Sequence, residues 1–197
     1  MKFTPLIIVL CCGLTACNLV APVPSDVTTY TINPKLDISV KKSFSHVLMV
    51  QQPETSAIYN TVQMPYVLKP HQIAYYAKNQ WADTPTKMLQ SLIVEALQDT
   101  KHFKAVVTPA YMGTFDYSLN MQLITLSQNF LVSPSEMHLK ATLQLVSNAS
   151  GNVVAAKTFD YVEPTPLQSP LGGVLATNRA VGKMMQDISR FCVKAIS

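Results

Sequence analysis

The residues of this chain best suited to chemistry are Cys17 and the three residues before it. The run Leu14-Thr15-Ala16-Cys17 closes a short apolar segment, residues 6–14, that follows the positively charged Lys2. A basic start, a short apolar stretch and a small residue before the cleavage point are typical of a secretory signal, and the apolar stretch is too short to span a bilayer. The pattern therefore predicts that residues 1–16 are removed.

The chemistry expected at Cys17 is acylation. The run resembles a lipobox, in which Leu14, Thr15 and Ala16 would be recognised by the signal peptidase. The cysteine would then receive acyl chains such as palmitate on its sulfur and on its new amino group. Each buried methylene contributes about 0.8 kcal/mol, so several chains hold a protein on a membrane almost permanently. An ordinary cleaved signal peptide with an incidental cysteine is the alternative.

No other part of the sequence has the spacing of a metal or catalytic site. There is no Gly-x-Ser-x-Gly motif and no phosphate-binding glycine loop, and carboxylates such as Glu95 and Asp116 fall on predicted solvent-facing positions. The histidines are scattered, without a second ligand at metal-binding distance: His46, His71, His102 and His138. We therefore expect no metal, no cofactor and no enzymatic activity. A hydrolase whose site is assembled from distant residues is the alternative.

An aromatic cluster is the one further candidate for binding. Tyr75, Tyr76 and Trp81 lie close together, with Tyr59 and Tyr66 upstream. Aromatic rings with a polar tip suit both interfaces and cores, so the first three residues are candidates for partner or lipid contact. Strand alternation predicts one of Tyr75 and Tyr76 in the core and the other exposed. A lone tryptophan beside a helix start is usually packed, so Trp81→Ala is expected to harm folding more than binding.

Length and charge favour a single domain that does not bind nucleic acid. The chain has 197 residues and a net charge of +4, and its basic residues form no stripe. Residues 17–29 are rich in proline and small polar residues, which predicts a flexible tether, and residues 30–197 form the predicted domain. Cys11 and Cys12 leave with the signal and Cys17 is expected to be acylated, so Cys192 has no cysteine to pair with and is expected to be buried.

Hydrophobic periodicity predicts an α+β fold. Strands are expected over residues 30–32, 47–50, 58–62, 73–77, 115–123, 137–145 and 153–161. One helix is expected to begin at Pro85 with Thr84 as its N-cap, and a second to run to about Ala195 with Lys183 paired to Asp187. Each helix has one apolar face, so both are expected to cover a mostly antiparallel or mixed sheet of about six strands.

The stretch from Ile73 to Pro85 resembles a known family. Its sequence, Ile-Ala-Tyr-Tyr-Ala-Lys-Asn-Gln-Trp-Ala-Asp-Thr-Pro, is followed by Met88 and Leu89 of the amphipathic helix. A strand with tyrosines, a nearby tryptophan and a helix started by proline resemble the ABC-type transport auxiliary lipoprotein family, which includes the paraquat-inducible C-type lipoproteins. The position after a lipobox strengthens the likeness. Asn79 departs from it, because a basic residue often precedes the tryptophan.

The resemblance implies two helices on a mixed sheet, similar to anticodon-binding-like domains in two or three layers, and no catalytic activity. It also implies an outer-membrane lipoprotein that faces the periplasm and works with MCE-domain proteins and an inner-membrane ABC transporter in phospholipid transport. Asn18 agrees with that location, since lipoproteins without aspartate after the cysteine usually reach the outer membrane. The alternative is a lipoprotein that assists assembly of an outer-membrane β-barrel or a lipopolysaccharide translocon.

Overall fold

Nine strands and two helices make up residues 26–38 and 46–196, the parts of the chain that the computed structural model describes. The strands are β1 (Thr28–Tyr30), β2 (Val47–Val50), β3 (Glu54–Thr55), β4 (Gln63–Val67), β5 (Ala74–Trp81), β6 (Ala105–Val107), β7 (Tyr117–Asn129), β8 (Glu136–Ser147) and β9 (Val153–Pro164). The helices are α1 (Pro85–Asp99) and α2 (Pro170–Ile196). The strands join one mixed sheet, which confirms the α+β class with more strands than the six expected.

Strand β7 organises the sheet because it is 13 residues long. On one side it pairs with β8 in antiparallel register over its whole length, and β8 pairs in the same sense with β9. On its other side three short strands, β2, β3 and β4, pair with it in parallel, one after another. Strand β6 extends the sheet from β2, while β5 and then β1 extend it from β4.

Both helices lie against one face of this sheet. The side chains of β8 that point to that face are buried, and they share one core with both helices; they are Met137, Leu139, Ala141, Leu143 and Leu145. Helix α2 packs on β8 and β9, while α1 packs on α2, β2 and β6. Among the described residues, no helix is both long enough and apolar enough to cross a membrane.

Several sequence predictions are confirmed. Strand β2 has the predicted bounds, and α1 begins at Pro85 after an extended Thr84 at the N-cap position. The Thr84 hydroxyl contacts the Thr86 hydroxyl at 3.3 Å and caps no backbone N–H. Cys192 is completely buried on α2, and burial raises the pKa of its thiol.

Two predicted strands are placed differently by the structure. Residues 58–62 form turns and bends, and the next strand, β4, contains Pro65. The pairing of β4 with β5 shifts register between Gln63 and Pro65, and such an irregularity tolerates a residue without an N–H. The first strand covers Thr28–Tyr30 instead of residues 30–32, because β5 pairs with it in parallel. Two residues predicted as tether are therefore in the sheet.

Lys183 and Asp187, predicted to pair with each other, instead contact residues of β9. Lys183 forms a salt bridge with Glu163, and Asp187 accepts a hydrogen bond from the Tyr161 hydroxyl at 2.5 Å. Asp187 also pairs with Arg190. The prediction was wrong because it considered the helix alone, whereas α2 lies beside a strand that supplies its own charged and polar partners.

Candidate functional site

All three aromatic residues singled out in the sequence lie on β5. Trp81 is 1% exposed and belongs to the core, and its indole N–H has no hydrogen-bond partner among the described residues. Tyr75 and Tyr76 are both half-buried, in place of one core and one exposed ring. Tyr76 packs against the core, whereas the Tyr75 hydroxyl donates a hydrogen bond of 3.2 Å to the carbonyl of Ile58. Cys17 and residues 14–16 lie outside the described residues.

The Tyr76 ring joins an aromatic cluster at the end of the sheet where β4 ends and β5 begins. The rings of Tyr66 and Tyr76 are 4.6 Å apart, and Tyr66 meets Phe130 edge to face at 6.0 Å. Such geometries stabilise aromatic pairs beyond their burial. Burial, with the nearby Tyr66 as a smaller cause, raises the pKa of Tyr76 well above its usual value. The Tyr76 hydroxyl therefore stays protonated and acts as a hydrogen-bond donor.

A buried polar network lies beside these rings and is centred on Gln128, which is 1% exposed. The Tyr76 hydroxyl donates to its Oε1 at 3.0 Å. Its Nε2 donates to the Ser135 hydroxyl at 3.0 Å and to the Ser169 carbonyl at 3.4 Å. The Ser135 and Thr165 hydroxyls are 2.6 Å apart. The network thus joins β5, the end of β7, the start of β8 and the chain entering α2, and satisfied buried polar groups hold such segments rigidly.

Exposed apolar side chains are carried by the segments that this network joins and by the turn after β4, and we call them the apolar rim. Its six side chains are between 43% and 59% exposed: Leu68, Leu131, Val132, Leu167, Leu171 and Leu175. They come from the turn after β4, the turn between β7 and β8, and the segment that starts α2. These three segments meet at one end of the sheet, because the Phe130 N–H donates to the Val67 carbonyl at 2.9 Å and the Thr165 N–H donates to the Ser135 carbonyl at 2.7 Å.

A groove between β9 and α2 is a separate, concave surface with a volume of about 520 Å³. Its walls combine apolar side chains with three basic residues and one acidic residue; the lining is Val154, Ala155, Lys157, Asp187, Arg190, Phe191, Lys194 and Ala195. Tyr161 donates to Asp187 from beneath, and burial together with this hydrogen bond raises the pKa of Tyr161. The groove suits a ligand that is partly apolar and partly anionic.

Several ionisable groups outside these surfaces have structural partners. Among the described residues, no group of three or more histidine, cysteine, aspartate or glutamate side chains could hold a metal ion. His138 contacts Asp160 at 2.7 Å and His46 lies 3.8 Å from Asp116. The Lys140 hydrogen bond, and then that of His138, lower the pKa of Asp160. These contacts join β8 to β9 and the start of β2 to the start of β7.

Sequence reasoning missed Gln128, Ser135 and the apolar rim. The sequence carries one sign of Gln128, because the adjacent polar residues Ser127 and Gln128 interrupt the alternation of β7. In the structure Leu126, Ser127 and Gln128 are all buried. A polar pair inside an otherwise alternating strand marks a site where both faces are covered. The rim has no local signal in the sequence, because its residues come from two separate turns and from the segment that starts α2.

The fold and this site define a sheet-and-helix scaffold with an aromatic, apolar end. The chain belongs to the family of ABC-type transport auxiliary lipoprotein components, whose family model matches residues 30–189. This confirms the family expected from the sequence, and the family name implies association with an ABC transport system. A comparison with curated protein sequences gives no significant match.

Solved structures share the fold at low sequence identity. Protein XCC0632 from Xanthomonas campestris has a TM-score of 0.77 and 19% identity, over 85% of this chain and 96% of that chain. The hypothetical protein CT253 from Chlamydia trachomatis has a TM-score of 0.52 and 6% identity, over 79% of this chain and 98% of that chain. At these identities the likeness concerns the fold alone.

Proposed function

We propose that this protein is a lipid-anchored, non-enzymatic accessory of phospholipid transport between the two membranes of the bacterial envelope. In this role it faces the periplasm from the outer membrane and works with an MCE-domain protein and an inner-membrane ABC transporter. The observation that carries the proposal is the family match over residues 30–189, which covers the domain from its first strand to the second helix. The choice of an MCE-domain protein and an inner-membrane ABC transporter as partners rests on the family resemblance in the sequence.

The anchor in this proposal is Cys17, acylated after cleavage behind Leu14, Thr15 and Ala16. Two or more acyl chains give stable attachment, whereas one gives only marginal binding. Mass analysis of the purified protein tests this step directly. We expect a mature N-terminus at Cys17 that carries acyl chains, and an unmodified N-terminus in freely soluble protein would contradict the anchor.

The non-enzymatic role is supported by how the polar side chains are used. The buried Gln128, Ser135 and Thr165 bond to one another and to backbone groups, so they fasten turns together. Turnover of a lipid ester by the purified protein would contradict this part of the proposal.

Phospholipid contact is supported by the groove between β9 and α2. Lys157, Arg190 and Lys194 outnumber the single carboxylate of Asp187, and Phe191 provides an apolar wall. An anionic headgroup with the adjoining acyl region fits that combination. Native mass spectrometry provides the test: phospholipid bound to the unaltered protein should be reduced severalfold in Arg190→Gln and unchanged in Glu95→Gln, an exposed site on α1.

Partner contact is supported by an exposed loop at the end of the sheet opposite the rim. Residues 108–116 leave β6 and return to the start of β7, and Met112 within them is 96% exposed. Flexible methionine side chains are common on protein-binding surfaces. The start of β7 is roughly 40 Å from its end, so this loop is well separated from the apolar rim.

The partner is tested by photocrosslinking in intact cells. A photoreactive amino acid in place of Met112 should capture an MCE-domain protein, while the same amino acid in place of Ile124, 40% exposed in the middle of β7, provides the control. Recovery of β-barrel assembly or lipopolysaccharide translocon components instead would favour the alternative function and overturn the proposed one.

A further inference from the structure

The side chains of the apolar rim are exposed to solvent and come from segments that are hydrogen-bonded to one another. Its members are carried by segments that the Gln128 network fastens together, through Ser135 on one side and the Ser169 carbonyl on the other. Strands β4, β7, β8 and β9 meet at this end, and strand spacing makes the band roughly 15 Å wide. Contiguous exposed apolar side chains on a monomer mark a contact with a protein or a membrane.

The direction of the first strand brings the N-terminal side of the chain toward the rim. Strand β1 runs parallel to β5, with Thr28 opposite Asn79 and Tyr30 opposite Trp81. Asp26 and Val27, the described residues before Thr28, therefore precede the strand on the side where β5 begins. Ala74, at the start of β5, lies opposite Tyr66 of β4. The next residue of β4, Val67, accepts a hydrogen bond through its carbonyl from the Phe130 N–H, which precedes Leu131 in the turn. The chain enters the domain from the end that carries the rim.

Chain length keeps that end close to any membrane that holds Cys17. Asp26, the first described residue, comes nine positions after Cys17, and nine extended residues span at most about 30 Å. Crossing from β1 past β5 to β4, where the rim begins, takes about 10 to 15 Å of that length. The domain is therefore held within a few tens of ångströms of the bilayer with its apolar end on the near side.

We infer that the apolar rim rests in the interfacial region of the bilayer to which Cys17 is anchored. This rests on the acylation of Cys17 in the proposed function. Leucine and valine side chains gain by leaving water at the headgroup boundary, and Lys69 beside Leu68 is exposed where it can meet anionic lipid. The bilayer contact orients the domain, so that the loop around Met112 points away from the membrane toward a partner.

The test places a fluorescent probe on the rim of the full lipidated protein. Leu131→Trp is reconstituted into vesicles of phosphatidylethanolamine and phosphatidylglycerol, in which part of the acyl chains is brominated. Bromine quenches tryptophan only at close range. We expect at least twofold quenching and a blue shift on reconstitution. Trp81 is 1% exposed and provides a constant background, measured on the unaltered protein. Met112→Trp is the matched control, and its added fluorescence should be unquenched.

The possible outcomes distinguish a failure of the lipid anchor from a failure of the contact between the rim and the bilayer. Protein that fails to float with the vesicles overturns the anchor, and the rim inference with it. Protein that floats while Leu131→Trp stays unquenched overturns the rim inference alone. A blue shift that depends on protein concentration and not on bromine would assign the rim to a second copy or to another protein. Equal quenching in Leu131→Trp and Met112→Trp would also contradict the inferred orientation.

Discussion

Gly173 on α2 lies so close to Gln128 on β7 that a β-carbon added to the glycine would stand 2.4 Å from the Gln128 Oε1. That oxygen accepts the hydrogen bond from the Tyr76 hydroxyl. The absence of a side chain at position 173 therefore lets the helix approach the strand while the buried amide keeps its partners. This contact couples the start of α2 to the sheet end that carries the rim.

Gly173→Ala is expected to destabilise the protein despite the higher helix propensity of alanine. The propensity gain is about 1 kcal/mol, but the methyl group must displace Gln128 and break buried hydrogen bonds, so the free energy of unfolding should fall by about 1–2 kcal/mol net. Urea unfolding followed by circular dichroism measures the change. Gly182→Ala on the same helix is the control, because its β-carbon would meet the Pro34 side chain at 3.4 Å and the Lys35 carbonyl oxygen at 3.9 Å, both without severe overlap, and it should be neutral or stabilising.

A double variant tests the mechanism of that loss. In a Gln128→Ala background the methyl group at position 173 has no amide to displace, so Gly173→Ala should then cost less than it does alone. The two changes should be non-additive by at least about 0.5 kcal/mol. Additive effects, or equal stability of Gly173→Ala and Gly182→Ala, would refute the contact as described.

Trp81→Ala should harm folding more than partner binding. The side chain is 1% exposed, and removing a buried aromatic ring from a core costs about 3–5 kcal/mol. Trp81→Phe should lose much less, because it keeps a ring and removes an indole N–H that has no partner among the described residues. Thermal unfolding and partner capture below the transition measure the two effects. A fully stable Trp81→Ala variant that no longer binds would show a direct role in contact.

Glu163→Gln should weaken the attachment of α2 to β9. The Glu163 side chain is 9% exposed and pairs with Lys183 and Arg179 of the helix. Loss of its charge should lower the free energy of unfolding by about 1–2 kcal/mol, because hydrogen bonds between charged groups are stronger than neutral ones. The loss should be no larger, because the side chains of Lys183 and Arg179 are exposed and can be hydrated instead. Glu95→Gln is the exposed control and should lie within about 0.5 kcal/mol of the unaltered protein. Denaturant unfolding of both variants decides the matter, and equal stability would contradict the assigned role.

Alkaline pH should destabilise the fold through Tyr76 and Tyr161. Burial, with hydrogen bonding to Asp187 for Tyr161, raises the pKa of both phenols above their usual value of 10.0 in the folded protein. The unfolded chain therefore releases these protons at lower pH than the folded chain, so their stabilising contribution is complete below about pH 10 and is lost as the pH rises above it.

Ultraviolet titration of the phenols provides the measurement. Tyr76 and Tyr161 should ionise only as the protein unfolds. Tyr161→Phe should reduce the late-titrating group to one. Simultaneous ionisation of all eight tyrosines in protein that keeps its native circular dichroism would contradict the prediction.

The sequence by itself determined the elements whose signals are local. Pro85 after Thr84 gave the start of α1, and alternation along residues 137–145 gave β8 and its buried face, because both patterns depend only on neighbouring residues. The family could also be recognised from one strand and the helix that follows it. The expected acylation of Cys17 comes from the sequence as well and stays a prediction.

Tertiary structure decided everything that depends on which distant segments meet. The pairing of Thr28–Tyr30 with β5, the place of Pro65 at a register shift and the salt bridge from Lys183 to Glu163 all require partners far along the chain. The same holds for the rim and the Gln128 network, which two turns and a helix start build together. Local periodicity indicates which face of an element is apolar. The contacts that make a site form between elements that are distant along the chain, and these contacts are fixed only when the whole core packs.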